Sequence, residues 1–506
     1  MCGIIGLIGH QDVVHDLYRG MFSLQHRGQD AAGILTYSND SPHLKKRTGL
    51  VGDIFDEFDF QKLKGNMGIG HTRYPTAGTG TSEDAQPFFV NHPGMAMVHN
   101  GNIVNCEEIK HNLKIYNHRL TSATCDVEAI LNLFAQVLVE KLTMRKMTTS
   151  QAAAKITPTD IFETLEIVMS EANGAYSVIA AIANHGLIAF KDPNGIRPLT
   201  MAIREDRQAT LSGTQNNTYG FASESVALTT IGMKIIRELQ PGEVVYIDKD
   251  FNVHSKIIKS HGQRSCMFEW VYFARPDSEI NNLPVYDARM KLGENLAKDF
   301  AKTGIKLDVV MPIPDSSRTA AVSFARELGL HYEEGFIKNR YITRTFIQPS
   351  QEKRTNSVKV KLNPIESQFK GKVVGLVDDS LVRGTTAKTI IQLARNAGAK
   401  EVHFILTCPP ITHRCFYGID MSTKKELIAR NMTLDEMTKA LNADSIFYQT
   451  IEGLREALSG QGLCTGCLTG EYPTILNDET KERWANARIN VRGENIALEK
   501  NPSSDR

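Results

Sequence analysis

Short aliphatic runs and runs with a helical period divide the chain into predicted strands and helices. Strands are predicted for residues 1–9 (MCGIIGLIG), 175–183, 186–190, 197–203, 243–247, 307–314 (LDVVMPIP) and 373–377 (VVGLV). Apolar positions with helical spacing predict helices over 127–142, 319–329 and 387–399. Because the last two strands are each followed by one of these helices, the pattern indicates a parallel α/β sheet in the second half of the chain.

Length and composition limit the kind of protein. The 506 residues suggest two or more domains, and the hydrophobic share of 41% is enough for large cores. A formal net charge of +1, from 58 basic and 57 acidic side chains, gives no electrostatic footprint for nucleic acid or an anionic membrane. No apolar run approaches the roughly 20 residues of a membrane helix, and Cys2 follows Met1 without a basic, apolar leader. We therefore expect a soluble, cytoplasmic protein.

Three segments without a clear core pattern are expected at the surface or at boundaries. The PGEVV turn near residue 241 is expected to close a first domain, and residues 141–158 are expected to form a surface insertion. The basic segment 338–354 (KNRYITRTFIQPSQEKR) is expected to be a solvated loop in the free protein. The eight cysteines are too few for a disulfide framework in so long a chain, so a clustered subset is expected to be catalytic or metal-binding.

The segment 373–386 (VVGLVDDSLVRGTT) joins a strand to a candidate phosphate site. Backbone N–H groups at a helix start, with hydroxyls and a glycine that allows close approach, suit a phosphate. Two adjacent acids suit a ligand that also offers hydroxyls or a cation, which indicates a ribose phosphate with Mg²⁺. The alternative is an ordinary strand–helix turn with solvated acids. The candidate residues are Asp378, Asp379, Ser380, Arg383, Gly384, Thr385 and Thr386.

This segment resembles the phosphoribosyl pyrophosphate (PRPP) loop of type I phosphoribosyltransferases. A second strand–turn–helix ends its strand with Asp315, Ser316 and Ser317. The resemblance implies that these three residues hold the pyrophosphate of PRPP. It also implies that Ser316, Asp378 and Asp379 hold Mg²⁺.

The amino terminus offers a candidate nucleophile. Removal of Met1 would leave Cys2 with a free α-amino group. A thiolate is a strong nucleophile, and an α-amine with a pKa of about 8 can act as its base. The alternative for a single cysteine is a small buried hydrophobe. The residue type and its position therefore favour acyl transfer only if other segments support it.

Four segments give that support: LQHRGQDAAGI (24–34), GIGHTRYPTAG (68–78), VHNGNIVN (98–105) and TSATCDVEAI (121–130). They resemble the motif set of class II, N-terminal-nucleophile glutamine amidotransferases. The resemblance implies that Arg73 binds the α-carboxylate of glutamine, Asp126 its α-ammonium, and Asn100 with Gly101 the oxyanion. Arg27 is implied as a further glutamine-site residue that organises the wall beside Cys2. His71 and His99 are interpreted as core histidines and have no part in this mechanism.

The aromatic segment SCMFEWVYFARPDS (265–278) resembles the glutamine-dependent amidophosphoribosyltransferases, and the resemblance then spans about residues 2–475. It implies an α+β glutaminase domain with an αββα sandwich over 2–240, an α/β type I phosphoribosyltransferase domain with a parallel sheet over 260–475, and a tail over 476–506. The implied reaction opens purine biosynthesis and converts glutamine, PRPP and water into 5-phosphoribosylamine, glutamate and pyrophosphate. The family also implies a homo-oligomer and purine nucleotides as feedback inhibitors. Once PRPP is bound, the segment 338–354 is expected to close as a lid that excludes water. An enclosed ammonia passage is expected because free ammonia is mostly protonated near neutral pH.

Two other functional classes fit part of the chain. A non-catalytic regulator with a phosphoribosyltransferase fold would have no need of Cys2, Arg73, Asn100 and Asp126 together. A glucosamine phosphate synthase would share the first domain but would carry a sugar-phosphate isomerase domain in place of VDDSLVRGTT. The pairing of the two motif sets favours the amidophosphoribosyltransferase hypothesis over both.

Cys464 and Cys467 form a C-x₂-C pair, which can bind one metal centre but needs two more ligands. By resemblance, Cys266 and Cys415 complete a four-cysteine [4Fe–4S] site of the kind that a subset of the family carries. The alternatives are a Cys₄ zinc site and four separate thiols. The reaction contains no redox step, so a cluster would be structural.

Overall fold

The computed structural model describes residues 1–38, 41–74, 82–148, 156–205, 217–339, 362–421, 424–474 and 476. The first half contains two antiparallel sheets. The strands of the first sheet, in spatial order, are Lys234–Glu238, Thr200–Glu205, Asn217–Ala222, Gly3–Ile8, Met67–Arg73, Ala31–Ser38 and Ser41–Thr48. Those of the second are Val253–Ile257, Glu243–Asp248, Gly186–Lys191, Gly174–Ile182, Met95–Ile103 and Phe88–Val90.

The two sheets pack face to face and carry helices on their outer faces. Successive side chains of a strand point to opposite faces, so Ile4 and Ile8 enter the core between the sheets while Ile5 and Leu7 face the outer layer. The helix Val14–Ser23 covers the first sheet. The second sheet is covered by Cys106–Asn117, Val127–Thr148 and Pro158–Glu171. The predicted αββα sandwich is confirmed.

Three local expectations differ from the observed elements. The strand expected at 197–203 begins at Thr200, because the carboxylate of Asp192 binds the backbone N–H groups of Asn194 and Ile196 and holds the preceding residues in a turn. The helix predicted to end at residue 142 continues to Thr148, with Thr143 and Met144 exposed, and residues 149–155 of the expected surface insertion lie outside the described residues. The second sheet includes the strands from Glu243 to Ile257, so it extends past residue 240.

The second half contains a five-stranded parallel sheet. Its strands, in spatial order, are His331–Tyr332, Val309–Pro312, Val373–Asp378, Glu401–Leu406 and Ser445–Tyr448. The helices Val285–Ala301 and Arg318–Leu328 pack on one face, and Thr385–Asn396 and Leu434–Leu441 pack on the other. The predicted α/β domain with a parallel sheet is confirmed.

Shorter elements connect these layers. The helices are Val51–Ile54, Glu57–Lys62, Ser225–Thr229, Glu366–Phe369, Ile428–Asn431, Ile451–Ala457 and Gly466–Thr469, with single turns at Ser82–Asp84 and Lys424–Glu426 and a π-helix at Glu269–Phe273. Three short strand pairs join Ser265–Cys266 to Leu463–Cys464, Glu279–Ile280 to Leu283–Pro284, and Phe336–Lys338 to Leu362–Pro364. Most of the predicted lid and of the tail, residues 340–354 and 477–506, lies outside the described residues.

The two halves share a hydrophobic core. Met1, Val104 and Ile196 from the first half pack in one cluster with Trp270 and Tyr417. Trp270 and Tyr417 are 0% and 2% exposed, so this contact is closed to solvent. Within the described parts of the chain, none of the helices combines the length and apolarity that a membrane crossing requires.

The contact between the helices Val285–Ala301 and Arg318–Leu328 depends on Gly293. A Cβ atom at this position would collide with the carbonyl oxygen of Ala320 and the hydroxyl of Ser323. We expect Gly293→Ala to lower the free energy of unfolding by about 1–3 kcal/mol, since the helices must move apart. The midpoint of urea unfolding measures this change.

Gly52→Ala is the matched control, because Gly52 also lies in a helix, Val51–Ile54. A Cβ atom at this position would make only an ordinary contact, 3.6 Å from Phe22. Because alanine has a higher helix propensity than glycine, the stability of the control should be unchanged or slightly increased. An unfolding midpoint for Gly293→Ala at or above that of the wild type would show that the helices have room for a methyl group.

Candidate functional site

Cys2 lies directly before the first strand and is 8% exposed. Its backbone nitrogen donates to Asn100 Oδ1 at 3.2 Å, and its Sγ lies 3.7 Å from the carbonyl oxygen of Tyr74. Burial lowers the pKa of the Met1 α-amine to about 6. The Cys2 nitrogen, which the predicted loss of Met1 would turn into the α-amine, lies at the same buried end of the chain.

Asn100 and Gly101 lie on the second sheet, opposite Cys2. The Oδ1 atom of Asn100 accepts from Cys2, whereas its buried Nδ2 has no hydrogen-bond partner among the described residues. Gly101 has φ +150°, and a Cβ atom there would collide with the carbonyl oxygen of Ala175. A free amide donor beside a nucleophile is the arrangement that an oxyanion needs.

The other predicted glutamine-site side chains have charged neighbours in the protein. Arg73 NH2 lies 3.4 Å from Asp84 Oδ2, and both side chains are buried. Asp126 Oδ2 accepts from the backbone nitrogen of Ile103 at 2.8 Å and lies 3.2 Å from His99 Nε2. Although burial opposes ionisation, His99 and these hydrogen bonds lower the pKa of Asp126. Asp126 is therefore a carboxylate able to attract an ammonium group.

Sequence reasoning missed His99, which was interpreted as a core residue only. Gln86 Oε1 accepts from the backbone nitrogen of His99 at 2.8 Å, and Gln86 Nε2 lies 3.1 Å from His99 Nδ1. If this amide donates to Nδ1, the ring proton lies on Nε2 and points at Asp126. No local pattern announces this contact, because Gln86, His99 and Asp126 come together only in the fold.

The side chain of Arg27 is held by two carboxylates. Its Nε donates to Glu224, and its NH2 donates to Glu269 Oε2 at 2.6 Å. Gly28 packs on the backbone of Arg73, where an added Cβ would lie 2.5 Å from the carbonyl carbon. Arg27 thus belongs to the wall behind the candidate glutamine site, and neither of its carboxylate partners was found from the sequence.

The phosphate-site residues of the second half lie where a parallel strand meets a helix. The strand ends at Asp378, and Gly384 precedes the helix Thr385–Asn396 with φ +82°. A side chain is rarely accepted at such a φ, and a Cβ there would lie 2.7 Å from Ile428. The first N–H groups of this helix are directed towards the turn that contains Ser380, Thr385 and Thr386.

Asp379 is buried, Asp378 is half-buried, and Asp379 connects the two predicted anion sites. Asp379 accepts from Ser316 Oγ at 2.5 Å and from Ser380 Oγ at 2.6 Å. Burial, and then the neighbouring Asp379, raise the pKa of Asp378, and burial raises the pKa of Asp379. Ser316 and the acidic pair therefore form one polar site at the carboxyl edge of the sheet.

The second turn precedes the helix Arg318–Leu328. Ser317 Oγ donates to the carbonyl oxygen of Ile313 at 2.5 Å, and Asp315 is paired with Arg318 at 3.2 Å and with Lys338 at 2.5 Å. Arg383 pairs with Glu426 at 3.0 Å. Asp315 and Arg383 are thus partly occupied by charged neighbours, whereas Ser316 faces Asp379.

Arg289 is a second residue that sequence reasoning missed. It is 4% exposed and donates to the carbonyl oxygens of Trp270, Tyr272 and Ala274 at 2.8–3.0 Å. Burial lowers the pKa of this guanidinium, and the charge of Asp379 opposes the decrease. The aromatic segment is therefore linked electrostatically to the candidate phosphate site.

The four candidate metal-binding cysteines come together in one core. Cys266 and Cys464 are direct neighbours in a parallel strand pair, and all four side chains are 6–9% exposed. Burial raises the pKa of Cys266 to about 11. Burial and the charges of the other cysteines also raise the pKa values of Cys464 and Cys467. Among the described residues, no group of three or more His, Cys, Asp or Glu side chains is arranged to hold a metal ion.

A fifth cysteine was not part of the predicted set. Cys408 is 1% exposed. Burial is the main cause of the raised pKa of Cys467, and the negative charges of Cys415 and Cys408 as thiolates would raise it further. Cys408 therefore lies near the cluster of four, on the side of the parallel sheet.

Comparison with protein families agrees with both halves. The family model for a glutamine amidotransferase domain matches residues 71–229, and the model for a phosphoribosyl transferase domain matches residues 282–426. The fold and the two sites therefore define a glutamine amidotransferase joined to a phosphoribosyltransferase.

Curated relatives cover nearly the whole chain. An amidophosphoribosyltransferase of Pseudomonas aeruginosa is 45% identical over 466 residues, which cover 91% of this chain and 89% of the relative. The relative of the same name from Saccharomyces cerevisiae is 39% identical over 516 residues, which cover 98% of each chain. This chain belongs to the amidophosphoribosyltransferase family.

Two solved structures share the fold. The glutamine PRPP amidotransferase from B. subtilis, complexed with ADP and GMP, superposes with a TM-score of 0.80 at 35% identity over 94% of this chain and 98% of that one. A structure described as the allosteric regulatory enzyme of purine biosynthesis superposes with a TM-score of 0.81 at 35% identity, over 95% of this chain and 97% of that one. The chain is therefore a glutamine-dependent pentosyltransferase that catalyses the first step of purine biosynthesis.

Proposed function

We propose that Cys2 releases ammonia from glutamine and that the turns at 315–317 and 378–386 hold the PRPP that receives it. The contact between Cys2 and Asn100, together with the free Nδ2 of Asn100, carries this proposal. The products are 5-phosphoribosylamine, glutamate and pyrophosphate.

In the glutamine half-reaction, the Cys2 thiolate attacks the side-chain amide carbon. Asn100 Nδ2 and the backbone N–H of Gly101 hold the oxygen as it becomes an oxyanion. The α-amine of Cys2, freed by loss of Met1, takes the thiol proton and passes it to the leaving ammonia. Arg73 and Asp126 bind the α-carboxylate and α-ammonium of glutamine, and water then hydrolyses the thioester.

In the PRPP half-reaction, ammonia adds to C1 of the ribose as pyrophosphate leaves. The helix start at Thr385 and its preceding turn bind the 5-phosphate, and the turn at Asp315–Ser317 binds the pyrophosphate. Asp378 and Asp379 bind the ribose hydroxyls and, with Ser316, fit a hard cation such as Mg²⁺, which prefers oxygen ligands. When bound, Mg²⁺ would neutralise the charge of the leaving pyrophosphate.

The segment 416–420 is proposed to close the ammonia passage near Cys2. Asn102 Nδ2 donates to the carbonyl oxygen of Phe416 at 2.8 Å, and Tyr74 Oη lies 3.5 Å from Asp420 Oδ2. Gly418 packs on Gly101, where a Cβ atom would lie 2.8 Å from the Gly101 carbonyl oxygen. The second half therefore covers the candidate oxyanion site directly, and the proposed lid at 338–354 would enclose the rest.

The first test separates the two half-reactions. Cys2→Ala should abolish synthesis from glutamine but leave synthesis from ammonium salts largely intact, because the thiol serves only glutamine cleavage. Pyrophosphate release measured with each nitrogen source gives the two rates.

The reverse variant is Asp378→Asn with Asp379→Asn, which should abolish synthesis from either nitrogen source. Loss of both activities in folded Cys2→Ala protein would refute the proposed division. Normal synthesis by the Asp378→Asn/Asp379→Asn protein would refute the assignment of the PRPP site.

A second test concerns the free amine of Cys2. Insertion of one glutamate between Met1 and Cys2 should abolish synthesis from glutamine, because the α-amine would then be an amide. Mass spectrometry of the active wild-type protein should find Met1 absent. Active enzyme that retains a residue before Cys2 would exclude the amine as the base.

The cysteines 266, 415, 464 and 467 are proposed to bind a structural [4Fe–4S] cluster. Their side chains share one buried core, and the backbone N–H of Tyr417 lies 3.3 Å from Cys415 Sγ. A zinc ion needs four thiolates around one centre, whereas the four irons of a cluster accept one thiolate each at wider spacing. We prefer the cluster because the family resemblance covers all four cysteine positions and their flanking sequence.

Metal analysis tests this proposal. Anaerobically purified protein should be brown, absorb near about 400 nm and contain about four iron and four sulfide per chain. Cys467→Ser should lower the iron content and the stability together, because the cluster ties the region of residue 266 to the carboxyl end. Colourless, fully active protein with one zinc per chain would replace the cluster by the zinc alternative.

Purine nucleotides and self-association are proposed from the relatives. Because the B. subtilis structure contains ADP and GMP, we infer that this chain binds purine nucleotides as inhibitors. A homo-oligomer is proposed from the family resemblance alone. Sedimentation with and without GMP tests both points, and a nucleotide-insensitive monomer would exclude them.

A further inference from the structure

Four buried charged side chains lie where the two halves of the chain meet. Arg27, Arg197 and Glu224 come from the first half, and Glu269 comes from the segment between the two family matches. The side chains of Arg27, Arg197 and Glu224 are 0% exposed, and that of Glu269 is 1% exposed. These charges can interact only with each other and with the protein around them.

Glu269 is shared between the two guanidinium groups. Its Oε2 accepts from Arg27 NH2 at 2.6 Å, and its Oε1 lies 3.4 Å from Arg27 NH1 and 3.5 Å from Arg197 NH1. Glu224 occupies the Nε side of Arg27. All three guanidinium nitrogens of Arg27 therefore face carboxylates, and one of the two carboxylates comes from outside the glutaminase sandwich.

The second half is fixed in return by Glu224. Its Oε2 accepts from the backbone nitrogen of Arg275 at 3.0 Å and from Ser278 Oγ at 2.7 Å. Although burial opposes ionisation, Arg27 and His26 lower the pKa of Glu224, so it stays charged. Each half therefore supplies a carboxylate that binds groups of the other.

Sequence neighbours of these charged residues contact the segments that carry Cys2 and Arg73. Ser223, next to Glu224, accepts with its Oγ from the backbone nitrogen of Ile4 at 3.1 Å. The backbone nitrogen of Ser223 donates to the Ile4 carbonyl oxygen at 3.0 Å. Gly28, next to Arg27, lies on the backbone of Arg73. A shift of Arg27 would therefore move both the strand that begins after Cys2 and the support of Arg73.

We propose that Glu269 is a positioning residue of the glutamine half-reaction, which fixes Arg27 and thereby the wall beside Cys2. A buried ion pair is weak evidence for a role in stability, since apolar residues often fill such a space as well. The position of this pair favours a role in specificity, because it joins the glutaminase wall to the segment that also contains Cys266. The proposal rests on the proposed role of Cys2.

The test is Glu269→Gln in the full-length enzyme, which removes the charge and keeps the shape. The ratio of glutamine-dependent to ammonia-dependent synthesis should fall about tenfold, which corresponds to about 1.4 kcal/mol of transition-state stabilisation. The change should be in kcat more than in KM for glutamine, because Arg27 faces carboxylates and not the substrate. Alkylation of Cys2 by iodoacetamide should slow as well, which reports on the nucleophile without glutamine.

Glu243→Gln is the matched control. Glu243 is 2% exposed and pairs with Arg237 at 2.7 Å, but two strands separate its strand from the one that contains Asn100. In the Glu243→Gln variant, the ratio of glutamine-dependent to ammonia-dependent synthesis and the rate of Cys2 alkylation should equal those of the wild type. If Glu269→Gln fails to fold, Glu269→Asp keeps the charge on a shorter side chain, and a smaller fall in the same ratio is expected.

An unchanged ratio in folded Glu269→Gln, or in folded Glu269→Asp if that variant is used, would overturn the proposal. An equal loss of glutamine-dependent and ammonia-dependent synthesis would show that Glu269 has only a structural role, and this result would also overturn the proposal. Failure of the Cys2 assignment is separate, because it would appear as glutamine-dependent synthesis by Cys2→Ala.

Discussion

The candidate glutaminase site depends on the packing of two sheets against each other. Cys2 directly precedes a strand of the first sheet and Asn100 lies in a strand of the second, and 3.2 Å separates the Cys2 nitrogen from Asn100 Oδ1. The distance is set by the layer of Ile4, Val98 and Ile179 between the sheets. A buried unpaired donor such as Asn100 Nδ2 costs about 1–3 kcal/mol. In the proposed mechanism an oxyanion would accept from this donor and offset the cost.

The PRPP site follows from a similar constraint in the second half. The strands Val309–Pro312 and Val373–Asp378 are parallel neighbours, so their carboxyl ends bring Ser316 and Asp379 within hydrogen-bonding distance. Burial raises the pKa of Asp379, and burial and the neighbouring Asp379 raise the pKa of Asp378. A divalent cation at this candidate site would stabilise the ionised form of both carboxylates.

Local patterns predicted the elements and the motifs but not the long-range pairs. The strand at 373–378 and the helix at 385–396 follow from apolar spacing, and the phosphate-site residues lie between them. The contact of Arg27 with Glu269 joins residues 242 positions apart, and nothing in the spacing of either residue announces it. His99 and Arg289 were missed for the same reason, since their carboxylate neighbours are brought close by sheet packing. The second sheet continues to Ile257, past the turn near residue 241, because a turn looks the same inside a domain and at its border.

The cysteines illustrate how one set of side chains can fit two states. Without a metal, buried thiols keep their protons and pack as small hydrophobes, which agrees with the raised pKa values of Cys266, Cys464 and Cys467. Metal binding requires thiolates, so it must release these protons in a site that disfavours charge. Arg197 helps here, because its buried guanidinium donates to the carbonyl oxygen of Tyr417, two residues after Cys415, and its own pKa is raised by the cysteine charges despite burial. The cation that would stabilise the thiolates is therefore supplied by the glutaminase half, and it also approaches the carboxylate that holds Arg27.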